Sequence, residues 1–405
     1  MEKSLSSRDR MRQALSPPGE PDRVPCCFMI FSALKAQCED PFEFVERQLD
    51  LGLDAVVELP ASPSDVQSEH ADLHGLPVRL DSRVTIREWR EERPGERYPL
   101  LGKAYDTPEG TLTVVVRKTE DWPYGDHVPF LDDFLVPRSP KALITGPEDL
   151  SGLRYLLTPP SSEDIRTFRE EARKAKAFAD RHGLLVTGGW GVGLEAGAWL
   201  CGLENLILYA MDRPEFVEEL TAMIAAWNRQ RMEVLLDEGV DLFIRRGWYE
   251  GTDFWSPALY RRFVFPSLRQ EVRWAHQAGA KFGYIQTSGT MPLLELLLEA
   301  EVDVLIGVDP VQGKGTDLRA MKERVGEKMC LWGGVNGFLT VELGSETEVR
   351  EAVYNAIRTL APGGGFILSP VDNVRDPSEH AWRNVRTMIE AWKEVGEYPN
   401  PNVER

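Results

Sequence analysis

The chain has 405 residues, 42% of them hydrophobic and 28% charged, a globular composition with length for one elaborated barrel or two to three domains. Its formal net charge of −18 argues against a nucleic-acid partner, because phosphates need a basic surface and no Lys/Arg run supplies one. No stretch of about eighteen apolar residues exists to span a membrane. Met1–Pro25 lacks a signal-peptide core, and the five cysteines form no CxxC pair, so the expectation is a cytoplasmic protein with reduced thiols.

In chain order, Ser7–Leu15 reads as a short helix stopped by Ser16-Pro17-Pro18-Gly19. Eight apolar runs follow, at Arg23–Phe31, Asp54–Leu59, Leu184–Gly188, Asp241–Arg245, Lys281–Gln286, Val302–Val308, Lys328–Trp332 and Gly365–Ser369. Each is short, rich in Val, Ile, Leu or Phe and bounded by Gly, Asp or Pro, as buried parallel strands are. Pro214–Glu238, Pro257–Ala278, Met291–Ala300, Asp317–Val325, Glu346–Leu360 and Pro377–Val395 space their apolar residues by three and four, which predicts helices between the strands. Strand and helix alternating eight times make a (β/α)8 TIM barrel. The long interval Ala61–Glu148 reads as an insertion, a lid over the barrel mouth, with a separate domain as the alternative. Within it, Tyr105–Thr111 and the alternating run Leu112–Lys118 predict a β-hairpin.

Strand carboxyl ends open onto the site in such a barrel, so the residues there are the candidates. Gln286-Thr287-Ser288-Gly289 ends the fifth strand with polar side chains and no thiol or imidazole. Asp372, with Asn373 and Arg375, follows the eighth strand, where a carboxyl could act as acid, base or hard-cation ligand; the alternative is a helix cap, for which Asp376 before Pro377 is better placed. Arg245 and Arg246 end the fourth strand, and alternation sends one inward and one outward. An inward arginine could grip a carboxylate or phosphate, or form a buried ion pair with Glu58 or Asp309. Trp248 and Tyr249 would wall the pocket.

Gly333-Gly334-Val335-Asn336-Gly337 could bind an anion on backbone N–H groups, with Asn336 as the side-chain contact. Gly188-Gly189-Trp190-Gly191-Val192-Gly193 permits close approach without matching a dinucleotide fingerprint, and places Trp190 near substrate. His70 and His74, four apart, suit either a metal pair or an exposed surface; His127 could descend from the insertion into the pocket or stay in its loop. His182 and His276 fall on helices with no chemical role. Cys26 and Cys27 alternate across the first strand, one facing the barrel core.

With these elements placed, Arg8-Asp9-Arg10-Met11, Pro21-Asp22-Arg23-Val24-Pro25, Ser256-Pro257, Phe265-Pro266, His276-Gln277-Ala278-Gly279-Ala280, Leu331-Trp332-Gly333-Gly334 and Ala361-Pro362-Gly363-Gly364-Gly365 make the chain resemble the uroporphyrinogen decarboxylase superfamily, which includes corrinoid-linked methyltransferases. The likeness is clearest from Gly188 to Glu397. It places Gln286, Ser288 and Asp372 where the methyltransferase branch holds zinc with His and Cys. Amide and hydroxyl oxygens are poor zinc ligands, so no metal is expected and a zinc-activated thiol is excluded. Where the decarboxylase branch has its arginine-rich segment this chain offers only Lys35; Glu58 stands short of that branch's Asp, Trp199 near its Tyr and Asp372 near its late His.

The resemblance therefore implies methyl transfer from a small methylated substrate to a corrinoid carried by a partner protein, with Asp372 or Glu58 protonating the leaving atom. The alternatives are a decarboxylase holding its substrate by Arg245 or Arg246, and a barrel that only binds ligand. It also implies a homodimer and no tightly bound cofactor.

Overall fold

Seven of the eight apolar runs pair into one parallel sheet in a computed structural model that describes residues 5–59, 76 and 78–398. The strands are β1 (Val56–Glu58), β5 (Leu185–Gly191), β6 (Leu242–Arg246), β7 (Lys281–Ile285), β8 (Val304–Val308), β9 (Cys330–Asn336) and β10 (Phe366–Val371), hydrogen-bonded in that order. Alternation divides them into two faces. Leu242 and Ile244, Ile285, Val304 and Ile306, Cys330 and Trp332, and Ile367 share the barrel interior with Cys27. Cys26, Phe243, Phe282, Leu305, Leu331 and Leu368 face the surrounding helices. One cysteine thus points each way, and burial pushes both thiols well above their usual range, which leaves them packing groups.

The expected first strand, Arg23–Phe31, is not a strand. Its short extended centre nevertheless closes the ring: Leu368 N–H donates to the Pro25 carbonyl (2.8 Å), Cys27 N–H to Leu368 (3.0 Å) and Asp54 N–H to Cys26 (2.8 Å). Only Cys26 forms a bridge to β10, because Pro25 has no N–H to continue a ladder and the chain turns into a one-turn helix at Ser32–Lys35. The helix Ser7–Ala14 inserts Met11 and Ala14 into the interior cluster and so plugs the amino-terminal end of the barrel.

The helices follow their predicted spans with three adjustments. Pro257–Ala278 is two helices, Pro257–Phe263 and Phe265–Gln277, because Pro266 cannot donate the bond that would continue the first. Met291–Leu293 is a single 3-10 turn leading into Leu294–Glu299. Ser378, not Asp376, caps the last helix Glu379–Val395, while Asp376 accepts from the Ser378 N–H and hydroxyl.

Between β1 and β5 lies a separate antiparallel sheet in the order β2 (Thr85–Glu91), β3 (Leu100–Thr107), β4 (Gly110–Arg117). The hairpin begins earlier than expected, with Thr107 opposite Gly110, and β2 is an additional strand. β2 is solvent-exposed along nearly its whole length, so its sequence TIREWRE carries no burial pattern to read.

Candidate active site

The loops leaving the carboxyl ends of the ring enclose a cavity of about 640 Å³. Beneath it, Ile285, Ile306 and Trp332 form an apolar floor. Glu58 stands on its wall at the end of β1, and Trp190 enters from β5. The register of β5 against β6 shifts between Gly189 and Gly191, so Trp190 sits in a bulge, the device that re-aims a strand side chain. Its indole meets Trp248 edge-on, with ring centroids 5.7 Å apart. Tyr249, Thr287 and Ser288 continue the wall past β6 and β7.

The two arginines of β6 part company, as alternation requires. Arg245 points between sheet and helices and is 0% exposed. It donates to both carboxylate oxygens of Glu250 (2.9 and 3.0 Å) and to Glu271 (3.2 Å), so its ion partners are not Glu58 or Asp309. Burial pulls the guanidinium's pKa down, but these two carboxylates outweigh it and hold the pKa above the usual value. Gly193 is required beside it, since a Cβ there would lie 1.8 Å from Nη2. Arg245 therefore stabilises the wall behind the site and does not line the cavity as a substrate contact.

Arg246 points inward. Its Nη2 reaches Asp133 Oδ2 (2.7 Å) and Glu195 Oε1 (3.0 Å), and the guanidinium lies over the rings of Trp248 (4.3 Å) and Trp199 (4.8 Å). Trp199 Nε1–H donates to the other Asp133 oxygen (2.8 Å). Asp133 is the one described insertion residue on the cavity wall, so the insertion meets the site through a carboxylate clamped by Arg246 and Trp199. Complete burial raises the Glu195 carboxyl to about 8, against the opposing pull of Arg246.

Two strands beyond β6 in the ring, Asp309 follows β8 and accepts from the Val311 and Gln312 N–H groups (2.8 and 3.1 Å) and from Asn336 Nδ2 (2.6 Å). Asn336 is the last residue of β9, not part of a glycine loop, and it sits behind Asp309 while its side-chain Oδ1 accepts from Leu339 N–H. The segment Gly333–Asn336 is strand, which removes it as a loop for binding anions. Asp372 lies at the rim, 42% exposed, and accepts from Arg375 Nη2 at 2.8 Å. Asn373 holds the start of the Ser32–Lys35 helix through the Ser32 N–H (3.0 Å) and hydroxyl (2.9 Å). Ser288 donates to Asp253 and accepts from Lys314 N–H.

Of the residues singled out from sequence, the cavity wall unites Glu58, Trp190, Trp248, Tyr249, Ser288, Asp309, Asp372, Asn373 and Arg375. Gln286 is absent from it. Ile285 and Thr287 take the inward positions of this segment, which turns Gln286 outward against Gly251, buried and with its amide unbonded to any described residue. His127 does not descend into the cavity; its Nδ1 lies 3.0 Å from Glu88 on β2. His70 and His74 fall outside the described residues. Among the described residues, no group of three or more His, Cys, Asp or Glu is placed to hold a metal ion. Sequence reasoning missed Asp133 and Glu195. The second had a signal, a lone carboxylate in the apolar helix Leu194–Cys201, whereas Asp133, at the start of a short 3-10 turn far from any barrel strand, had none.

A family model described as uroporphyrinogen decarboxylase (URO-D) matches residues 136–395. No curated protein matches the sequence. Among solved structures, a methyltransferase from Methanosarcina mazei aligns over 96% of this chain and 99% of its own, with a TM-score of 0.57 and 16% identity, a likeness of fold. A B12-independent methionine synthase from Shewanella sp. W3-18-1 aligns over 55% of this chain and 65% of its own, at a TM-score of 0.41 and 11% identity.

Proposed function

The chain belongs to the uroporphyrinogen decarboxylase family, and from that premise we propose that it moves a methyl group from a small methylated substrate in the barrel-mouth cavity to the Co(I) of a corrinoid presented by a partner protein. One observation carries this reading. Both arginines of β6 are committed to protein carboxylates, Arg245 to Glu250 and Glu271, and Arg246 to Glu195 and Asp133. No guanidinium fork of β6 is left to grip a substrate carboxylate, which a decarboxylase of polycarboxylated substrates needs.

The described wall holds no thiol and no imidazole, so none of its described side chains offers the methyl group an acceptor, and in this reading the methyl passes directly to the corrinoid. The residues' own work is to bind the donor, orient its methyl group toward the open mouth and shed water from around it. A corrinoid presented at the mouth would supply a Co(I) nucleophile for the methyl carbon; with a methyl ether as donor the carbon–oxygen bond would break toward oxygen, and the oxygen would take a proton. Glu58, on the cavity wall at the end of β1, is the donor of that proton in this reading.

Mixing the protein with a Co(I) corrinoid and a panel of methyl ethers and N-methyl compounds under anaerobic conditions should convert the Co(I) absorbance to that of methyl-Co(III). Glu58→Gln should slow transfer from ethers by about 10²–10⁴-fold. No spectral change with any donor removes the proposal. The family description itself favours a second reading, decarboxylation of a carboxylated, tetrapyrrole-like substrate. Release of ¹⁴CO₂ from labelled carboxylic substrates, in the absence of any corrinoid, would establish it instead.

A further inference from the structure

Three of the cavity's carboxylates can be traced to their partners, and the third differs from the others. Asp133 is paired with Arg246 at 2.7 Å, and Asp372 with Arg375 at 2.8 Å. Asp309 has no cationic partner among the described residues. Its oxygens accept only from neutral donors, two backbone N–H groups and the Asn336 amide. Yet it is 4% exposed, on the cavity wall. A buried carboxylate without a counter-charge is costly, and oriented dipoles hold it in place without cancelling its charge.

The aromatic wall points the same way. Trp190 and Trp248 meet at 70° on this cavity, with Tyr249 beside them. Indole faces attract cations, most effectively those with little hydration to lose, such as a nitrogen fully substituted by carbon. Arg246 already exploits one face of Trp248 in this manner. Lys35 is the one wall cation with no ion pair among the described residues, and it is exposed at the rim.

We propose that the cavity selects a quaternary ammonium substrate, with Asp309 as its counter-charge and the Trp190–Trp248 pair as its wall. This rests on the methyl-transfer reading and narrows its donor. The step balances without an acid. A Co(I) corrinoid presented at the mouth would supply the electron pair to the methyl carbon, and the carbon–nitrogen bond would break with its electrons kept on nitrogen. A neutral tertiary amine departs. No proton is consumed, so Glu58 is not called on as an acid with such a substrate.

The test is calorimetric titration of the full-length protein with choline and with its uncharged isostere 3,3-dimethyl-1-butanol. Choline should bind at least tenfold more tightly, and Asp309→Asn should erase that preference. Trp190→Leu should weaken choline about tenfold while leaving the isostere within threefold. Equal or weaker binding of choline by the wild-type protein overturns the inference, a result that needs no variant to fold. Unchanged choline preference in a folded Asp309→Asn protein overturns it as well. Because binding is read without corrinoid, the two proposals fail separately. A choline preference with no methyl transfer leaves this inference and removes the reaction; transfer from neutral ethers without a choline preference does the reverse.

Discussion

Arg245 and Arg246 are neighbours on one strand, and their surroundings make them different reagents. Arg245 is enclosed with Glu250 and Glu271, and Tyr284 donates to Glu250 at 2.5 Å. Removing the guanidinium leaves two carboxylates buried without compensation, so Arg245→Met should cost about 3–5 kcal/mol in denaturant unfolding. Arg246 instead joins the insertion to the barrel through Asp133. Behind it, Glu195 titrates at about 8 in the folded protein, above its usual 4.5, chiefly because it is fully buried. Between those two pH values the folded state holds a proton that the unfolded chain has released. Stability from this group is therefore greatest below about pH 4.5 and falls as pH rises toward 8. Glu195→Gln carries no such titration, so its melting temperature should gain on the wild type as pH is raised from 5.5 to 8.5. A constant difference across that range would refute the assignment.

Among the elements, the barrel strands were legible because buried parallel strands are written as short apolar runs with sharp ends. Ile244, Ile285, Ile306 and Trp332 then fell on the interior by the two-residue period alone. Ile306→Ala should cost about 2–5 kcal/mol, as a cavity in a closed interior relaxes poorly. Two elements were not legible, for opposite reasons. Arg23–Phe31 has a strand's composition but bridges β10 at only one residue, since a proline interrupts its donors. Thr85–Glu91 is a strand whose charged side chains face water and so leave no pattern. The site followed the same division. Asp372 and Trp248 were found by position after a strand, Asp309 was named only as an arginine's ion partner, and Gln286 was misplaced by one residue, enough to turn a side chain to the other face.

For the molecule as a whole, the insertion is joined to the barrel by packing as well as by charge. Leu101, Tyr105, Leu112, Val114 and Val116 of the small sheet belong to the same buried cluster as the outer barrel residues Phe243, Phe282 and Leu305. Gly152 backs against Leu112 across that boundary. Calorimetry should accordingly show one cooperative transition for barrel and insertion together. A separate low-temperature peak, removed by excising residues 84–118, would mean that the sheet folds on its own.

What the amino-acid order alone determined was the parallel barrel, its strand positions and the absence of thiol and imidazole at the strand ends, because periodicity and residue type are properties of short stretches. Tertiary structure decided which charges are already satisfied. That Arg246 meets Asp133, 113 residues away, while Asp309 meets only neutral donors, is set by the closure of the ring. Pairings across such separations depend on the packing of the whole chain, and no local pattern encodes them.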